Sequence, residues 1–327
     1  MHSQFLTFQN HGSPASVLTL ESRILPPLAP GEILLEIIAS PINPADLNFI
    51  EGTYGLKPTL PATPGSECFA KVLHSRSDRF FPGDPVIPIG RIGCWASHTI
   101  TTAANLIHVP PTIDPLQAAM LKVNPATAWL LLHHFQQLEP GDSIALNAAN
   151  SGVGQCLIQL AASLGLRTLC FLRNEALTPE LTALGATHIF PDTPTGLAAA
   201  TATLGNDRAK LALNAVGGES ALRLMKLLAP SATHITYGAM ARKPLTIPNG
   251  PLIFQDLRIR GFWLSHWLQN STPLEIQNTY HLLAQRITDL SLKQTIDSTF
   301  PLSDFQAALT RLDSPDRHGK ILFTPQS

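Results

Sequence analysis

The run Ser143-Ile-Ala-Leu-Asn-Ala-Ala-Asn-Ser-Gly-Val-Gly-Gln-Cys-Leu-Ile-Gln-Leu-Ala-Ala-Ser-Leu-Gly165 decides the fold. Ser143 to Ala148 reads as a strand, and Gly152 to Gly165 as a helix with a glycine stop. The turn between them is built from small residues. A strict G-x-G-x-x-G would need glycine at 149, 151 and 154; here stand Ala149, Ser151 and Gly154, with an extra Gly152. Small side chains still let the N–H groups at a helix start face a pyrophosphate. The same residues also suit a tight turn that only packs a helix on a strand.

Outward from this run the texture repeats. Thr168–Leu172 is the next strand, and Leu211–Val216, Thr233–Tyr237 and Arg258–Leu264 are further candidates with helix candidates between them. Ahead of it, Pro115–Lys122 and Ala126–Phe135 read as helices. Strands alternating with helices imply βαβ units and a parallel sheet. About 20 residues after the glycines, an NAD site places an acid for the ribose 2′-OH. Arg173 stands there instead. It either pairs with a 2′-phosphate, favouring NADP, or is a solvated strand-end residue.

The first third has another character. Glu32–Ala39 looks like a buried strand, and prolines at 41, 44, 58, 61, 64, 82, 85 and 88 cut the chain beyond it into short pieces. Short strands between turn signals imply a small all-β barrel or sandwich. The tail, Phe305–Leu312 then Gly319–Phe323, reads as a helix and a strand that could return to this first domain.

Composition excludes several classes. Only 14% of the 327 residues are charged and the net charge is −1, against about 25% charged in ordinary globular chains. This argues against a nucleic-acid binder and against disorder. Cys68, Cys94, Cys156 and Cys170 form no C-x-x-C pair and read as free buried thiols of a reducing compartment. Met1–Phe8 shows no basic-then-apolar leader, and no apolar run reaches the roughly 18 residues of a membrane span. The expectation is a cytoplasmic protein.

The markers Asn43-Pro-Ala-Asp46, Pro64-Gly-Ser-Glu67, Gly83-Asp84, Ala149–Gly154, Leu184-Gly-Ala186, Asn214-Ala-Val-Gly-Gly218 and Gly319–Leu322 run in order along nearly the whole chain. In them the sequence resembles the zinc-free branch of the medium-chain dehydrogenase/reductase superfamily. Asn43–Gly55, Val123–Ala128, Leu138–Ser143, Tyr237–Met240 and Phe262–Ser265 are similar to the 2-enoyl thioester reductases of mitochondrial-type fatty-acid synthesis. The resemblance implies an α/β protein: a GroES-like β-barrel catalytic domain from residues 1–115 and 266–327, and a Rossmann doubly wound parallel-sheet domain from 116–265. It also implies a homodimer.

Zinc-dependent relatives carry a Cys near position 43 and a His-Glu pair after Pro-Gly. Here stand Asn43 and Ser66, with only Glu67 kept, too few ligands for a tetrahedral catalytic zinc. His133 and His134 are adjacent on a helix candidate and face different directions. The expected metal set is therefore empty.

Proton donation then falls to side chains. Tyr54 matches the family's catalytic tyrosine; taken alone it could be a loop tyrosine packed on the Gly52 and Gly55 turn. By the same resemblance Asn43 and Trp95 belong to the substrate side, though Trp95 could equally be a core residue. NADPH is the implied cofactor. Asn124 would lie near its nicotinamide, Asn150, Ser151, Gly152 and Val153 would hold the pyrophosphate, and Arg173 with Asn174 would meet the 2′-phosphate. Tyr237, Gly238 and Met240, with Phe262, Trp263, Leu264 and Ser265, would flank the rest. Lys320 would close over it, or is an exposed strand-end lysine. Departures are Glu175, where the family has a second basic residue, Ala239 for glycine and Cys68 for glycine.

The implied activity is NADPH-dependent reduction of the 2,3 double bond of a 2-enoyl thioester. Reduction of quinones or general enones is the first alternative, and a nonenzymatic NADPH-binding protein the second. An acyl-carrier protein would be a partner, although the sparse charge offers little basic docking surface.

Overall fold

The computed structural model describes residues 1–325. The chain opens with an antiparallel pair, β1 (His2–Thr7) and β2 (Thr19–Ile24). Five strands come next: β3 (Glu32–Pro41), β4 (Phe69–Ser75), β5 (Pro85–Pro88), β6 (His98–Thr102) and β7 (Leu106–His108). β3 pairs antiparallel with both β4 and β6. Proline sits at the end of β3 and at both ends of β5, where no interior ladder bond is lost. Ile33, Leu35 and Ile37 alternate inward on β3 and pack with Phe80, Val86 and Cys94 as the barrel core.

The parallel sheet is built next: β8 (Ser143–Leu146), β9 (Arg167–Leu172), β10 (His188–Pro191), β11 (Ala209–Asn214), β12 (Leu228–Thr236) and β13 (Arg258–Gly261). Its order is β10-β9-β8-β11-β12-β13, so the strand order reverses beside β8, where doubly wound sheets hold their ligands. β8 is buried along its whole length, as a central parallel strand must be. It ends at Leu146, short of the expected Ala148, because Ala148 takes φ 47° and leaves the ladder. β13 likewise stops at Gly261, and Leu264 begins the helix Leu264–Asn270.

The tail returns to the barrel unit. β14 (Ile296–Phe300) pairs parallel with β15 (Lys320–Phe323), and β15 pairs antiparallel with the end of β3. The chain thus forms two compact units, one of Met1–Val123 with the chain from Ser271 on, the other of Asn124–Asn270. The divisions fall later than 115/116 and 265/266. The helix Pro115–Ala119 stays with the barrel unit because Gln117 and Gln294 exchange amide hydrogen bonds at 2.9 Å. That helix is also shorter than the expected Pro115–Lys122. Among the described residues no helix is long and apolar enough to cross a membrane.

Candidate active site

In the parallel-sheet unit, the loop after β8 carries Asn150, Ser151, Gly152 and Val153, the residues expected to meet a pyrophosphate. Ser151 caps the helix Gly152–Ser163, its hydroxyl accepting from the Gly154 N–H at 3.1 Å. The cap holds the first turn with its remaining N–H groups at the sheet's carboxyl edge. Gly154 is required: a Cβ there would lie 2.4 Å from the Ala149 carbonyl. Asn150 is exposed, and Ser151, Gly152 and Val153 are half-buried. Arg173 and Asn174 follow β9 directly and are exposed, with Asn174 accepting from the Ala176 N–H; the exposed Glu175 shares that turn. Tyr237 and Gly238 follow β12, and Phe262 to Ser265 follow β13. These residues all lie at the carboxyl ends of parallel strands. Burial pushes the Tyr237 phenol above its usual range, the Cys156 thiol adds to this and the Ser151 hydroxyl opposes it. Met240 is 55% exposed. Asn124 is buried in the first turn of the helix Asn124–His133, which packs against Gly152–Ser163.

A buried asparagine pair that the sequence reading did not single out fixes this edge. Asn147 donates to Asn214 Oδ1 and to the Ser220 hydroxyl, both at 2.8 Å, and accepts from the Ala215 N–H at 2.8 Å. Asn214 accepts from the Val216 and Gly217 N–H groups and donates to Thr236. Ser220 passes the network to Asp192, which also receives Arg223. The ends of β8, β10, β11 and β12 are thereby tied side chain to side chain, a fully satisfied polar network.

In the barrel unit the site grows from the helix Pro44–Glu51. Asn43 stands at its N-cap, and the Asn43 N–H donates to Asp46 Oδ2 at 3.1 Å. Gly52 closes the helix at φ 75°, and the Thr53 and Tyr54 N–H groups turn back onto the Asn48 carbonyl at 2.9 and 3.1 Å. This C-cap sets the Tyr54 backbone. The Tyr54 ring packs half-buried against the cluster that contains Phe8, Phe49 and Phe323.

Around these two ends the barrel unit collects charge. Asp46 and Glu67 are wholly buried. Glu67 Oε1 accepts from Asn43 Nδ2 at 2.7 Å and Oε2 from the Val123 N–H at 2.8 Å. Lys320 reaches the Ile42 carbonyl and Asn43 Oδ1. Lys122, also buried, donates to the Ser66 carbonyl at 2.6 Å and the Gly90 carbonyl at 3.0 Å. Arg91 Nη1 lies 3.5 Å from Asp46 Oδ1, and its guanidinium covers the Phe49 ring at 4.2 Å and the Tyr54 ring at 5.5 Å. Burial pushes both carboxyls up, against Arg91 at Asp46 and against Lys320 and Asn43 at Glu67; burial pushes the Lys122 ammonium down.

One expectation changes. Trp95 is fully buried, its indole donating to the Pro41 carbonyl and its ring edge-on to Phe323, so it is a core residue rather than part of an acyl lining. Lys320, the residue expected to close over the cofactor, is held within the barrel unit by the Ile42 carbonyl and Asn43 and is not an exposed strand-end lysine. His133 stacks on Trp129 while His134 packs on Phe135. All four cysteines are free and buried.

A small-residue loop at a sheet switch point, together with a GroES-like barrel, defines a medium-chain dehydrogenase/reductase. The alcohol dehydrogenase GroES-like domain family matches residues 29–111, and the zinc-binding dehydrogenase family matches residues 152–284. The rat mitochondrial enoyl-[acyl-carrier-protein] reductase is 40% identical over 94% of this chain and 85% of its own. A solved NADPH:quinone reductase from Bacillus thuringiensis, titled putative, superposes with a TM-score of 0.93 at 28% identity, covering 99% of both chains. A mitochondrial 2-enoyl thioester reductase heterodimer from Candida tropicalis gives 0.90 at 27% identity, covering 99% of this chain and 100% of that one. An Etr1p complex with NADP and crotonyl-CoA gives 0.89 at 26% identity, with the same coverage. The chain belongs to the medium-chain dehydrogenase/reductase superfamily, in the family of the enoyl-[acyl-carrier-protein] reductases. It is an oxidoreductase. The rat relative is named mitochondrial, a compartment outside the cytoplasmic expectation.

Zinc does not fit the residues present. Asn43, Ser66 and Glu67 offer no thiolate or imidazole, and both Glu67 oxygens already accept hydrogen bonds. Among the described residues no group of three or more His, Cys, Asp or Glu is placed to hold a metal. A dinucleotide does fit: the capped helix start and the buried Tyr237 hydroxyl lie at the carboxyl edge of the same sheet.

Proposed function

We propose that the protein is an NADPH-dependent reductase of the 2,3 double bond of a 2-enoyl thioester, with Tyr54 as proton donor. The observation that carries this reading is Tyr54 itself, capped onto the end of Pro44–Glu51 and packed under Arg91. The 40% identity to an enoyl reductase and the NADP and crotonyl-CoA named in a structural neighbour support the substrate and cofactor classes.

When bound, NADPH supplies the hydride equivalent that adds to the β-carbon. Asn150, Ser151, Gly152 and Val153 hold its pyrophosphate, and Arg173 with Asn174 meets its 2′-phosphate. Tyr237, Gly238, Met240 and Phe262 to Ser265 flank the remainder, with Asn124 toward the nicotinamide. Asn43 stands on the substrate side, and the enolate oxygen is stabilised by hydrogen bonds, an oxyanion-type electrostatic task. Tyr54 gives its phenolic proton to the α-carbon, directly or through water.

The test is turnover of crotonyl-CoA and a longer enoyl-CoA with NADPH and with NADH, in the native enzyme and Tyr54→Phe. A kcat loss of about a hundredfold or more in the variant is expected; native kcat would remove Tyr54 from the mechanism. Quinone reduction is the second reading, favoured by the 0.93 superposition on a protein titled as a quinone reductase. Strong benzoquinone turnover without thioester turnover would establish it.

The proposed assembly is a homodimer. β13 is an edge strand, and beside it in sequence Ile253 and Phe254 are 68% and 84% exposed, an edge that soluble proteins normally cover. The proposed compartment is the cytoplasm, decided by fractionation of the source cells. An acyl-carrier protein as acyl donor is the second arm of the turnover assay.

A further inference from the structure

Arg91 lies in the barrel unit on the short segment after β5, in none of the motifs that define the family resemblance. Two features fix its backbone from either side. The Ile89 N–H donates to the Asn105 carbonyl at 2.8 Å, and the buried Lys122 ammonium holds the Gly90 carbonyl at 3.0 Å. Gly90 is packed so closely that a Cβ would come within 2.5 Å of Asn105 Oδ1. The segment is thereby a rigid bracket for the side chain that it carries at its end.

That side chain is placed by three partners. Asp46 is the counter-ion at 3.5 Å, at the first turn of Pro44–Glu51. Phe49 gives a ring face at 4.2 Å, and Tyr54, beyond the end of the same helix, gives a second at 5.5 Å. The guanidinium is about four-fifths covered, its side chain being 21% exposed. A planar cation held against aromatic faces in partial burial is a strong restraint, and lysine cannot reproduce it.

We propose that Arg91 is a positioning residue for proton transfer: it clamps the Tyr54 ring and ties its orientation to Asp46 and the helix Pro44–Glu51. The inference rests on the assignment of Tyr54 as proton donor. In this role Arg91 acts through the face of the Tyr54 ring. It narrows the range of ring positions from which the phenolic proton reaches the α-carbon, an orientation effect on the chemical step rather than on binding.

The test uses Arg91→Lys, which leaves a cation for the buried Asp46 and so keeps the fold, alongside Arg91→Met. Steady-state kinetics with crotonyl-CoA and NADPH are measured in water and in deuterium oxide. Expected for Arg91→Lys is a kcat lower by about tenfold, the scale of one lost aromatic–cation restraint, with KM for both substrates unchanged. The solvent deuterium isotope effect on kcat should rise as proton transfer becomes more limiting. In the Tyr54→Phe background Arg91→Lys should lower kcat no further. An unchanged kcat in Arg91→Lys overturns the proposal. So does a loss of equal size in both backgrounds, or a fall in kcat with an unmoved isotope effect, because each makes Arg91 structural only. Native kcat in Tyr54→Phe alone would instead bring down the tyrosine assignment, an outcome read without any Arg91 variant.

Discussion

Asn43 and Glu67 are joined by a 2.7 Å hydrogen bond in which both side chains are buried, and each also anchors a second segment. Glu67 receives the Val123 N–H, and Asn43 receives Lys320. Glu67→Ala strands two buried donors and leaves Lys122 and Lys320 short of a counter-charge. The expected cost is about 3 kcal/mol or more of folding stability, read by chemical denaturation. Glu67→Gln should cost less but still lose one of the two accepted bonds.

Ser151→Ala should act on cofactor binding and stability together. The cap to Gly154 is worth about 1 kcal/mol, and its loss frees the first turn of the helix Gly152–Ser163, the turn proposed to hold the pyrophosphate. The expected result is a lower denaturation midpoint and a higher KM for NADPH, with KM for the thioester unchanged. A variant with native KM for NADPH would separate the loop from the cofactor.

Glu175 places a negative charge two residues after Arg173, and both are exposed. Glu175→Arg should raise the preference for NADPH over NADH by about fivefold, the scale of one solvent-screened charge contact. Arg173→Ala should shift the preference the other way. The ratio of kcat/KM values for the two cofactors is the measurement, and its salt dependence should be larger in Glu175→Arg.

His234 sits on β12 at 0% exposure with neither ring nitrogen partnered, and burial lowers its pKa to about 4 from 6.5. The unfolded chain therefore takes up a proton that the folded chain refuses in the window between about 6.5 and 4. Stability is full above that window and falls as pH falls through it, by about 1.4 kcal/mol per pH unit. His234→Leu should abolish this contribution. Denaturation at pH 7 and pH 5 should show the variant gaining on the native protein at the lower pH. An equal difference at both values would place the acid sensitivity elsewhere.

The fold was legible where the chain obeys local rules. Small residues between β8 and its helix announced the tight strand-to-helix turn despite Ala149 and Ser151, because the geometry asks for small side chains and open N–H groups rather than glycine at every position. The position of Arg173 directly after β9 was readable from spacing alone. The barrel half of the site was less so. Asp46 and Arg91 are a close ion pair whose positions in sequence give no hint of their meeting, and Lys122 looks like any helix-end lysine until Ser66 and Gly90 are folded around it. Asn147 and Asn214 resemble ordinary loop residues at strand ends; only the parallel sheet makes them neighbours. Trp95 shows the converse. Its motif context pointed to the substrate, but the packing of Phe323 from the far end of the chain buries it.

The pairing of β15 with β3 sets an order of events during synthesis. β3 leaves the ribosome early, yet the strand that covers its end, the Ile321 carbonyl that receives the Ile42 N–H and the Lys320 that holds Asn43 are made nearly 280 residues later, after the whole six-stranded sheet. The six-stranded sheet, contiguous from Asn124 to Asn270, has all its strands in hand well before then. The nascent barrel must therefore wait with an unpaired strand edge, a state prone to wrong pairings, while the nucleotide-binding unit is already able to fold.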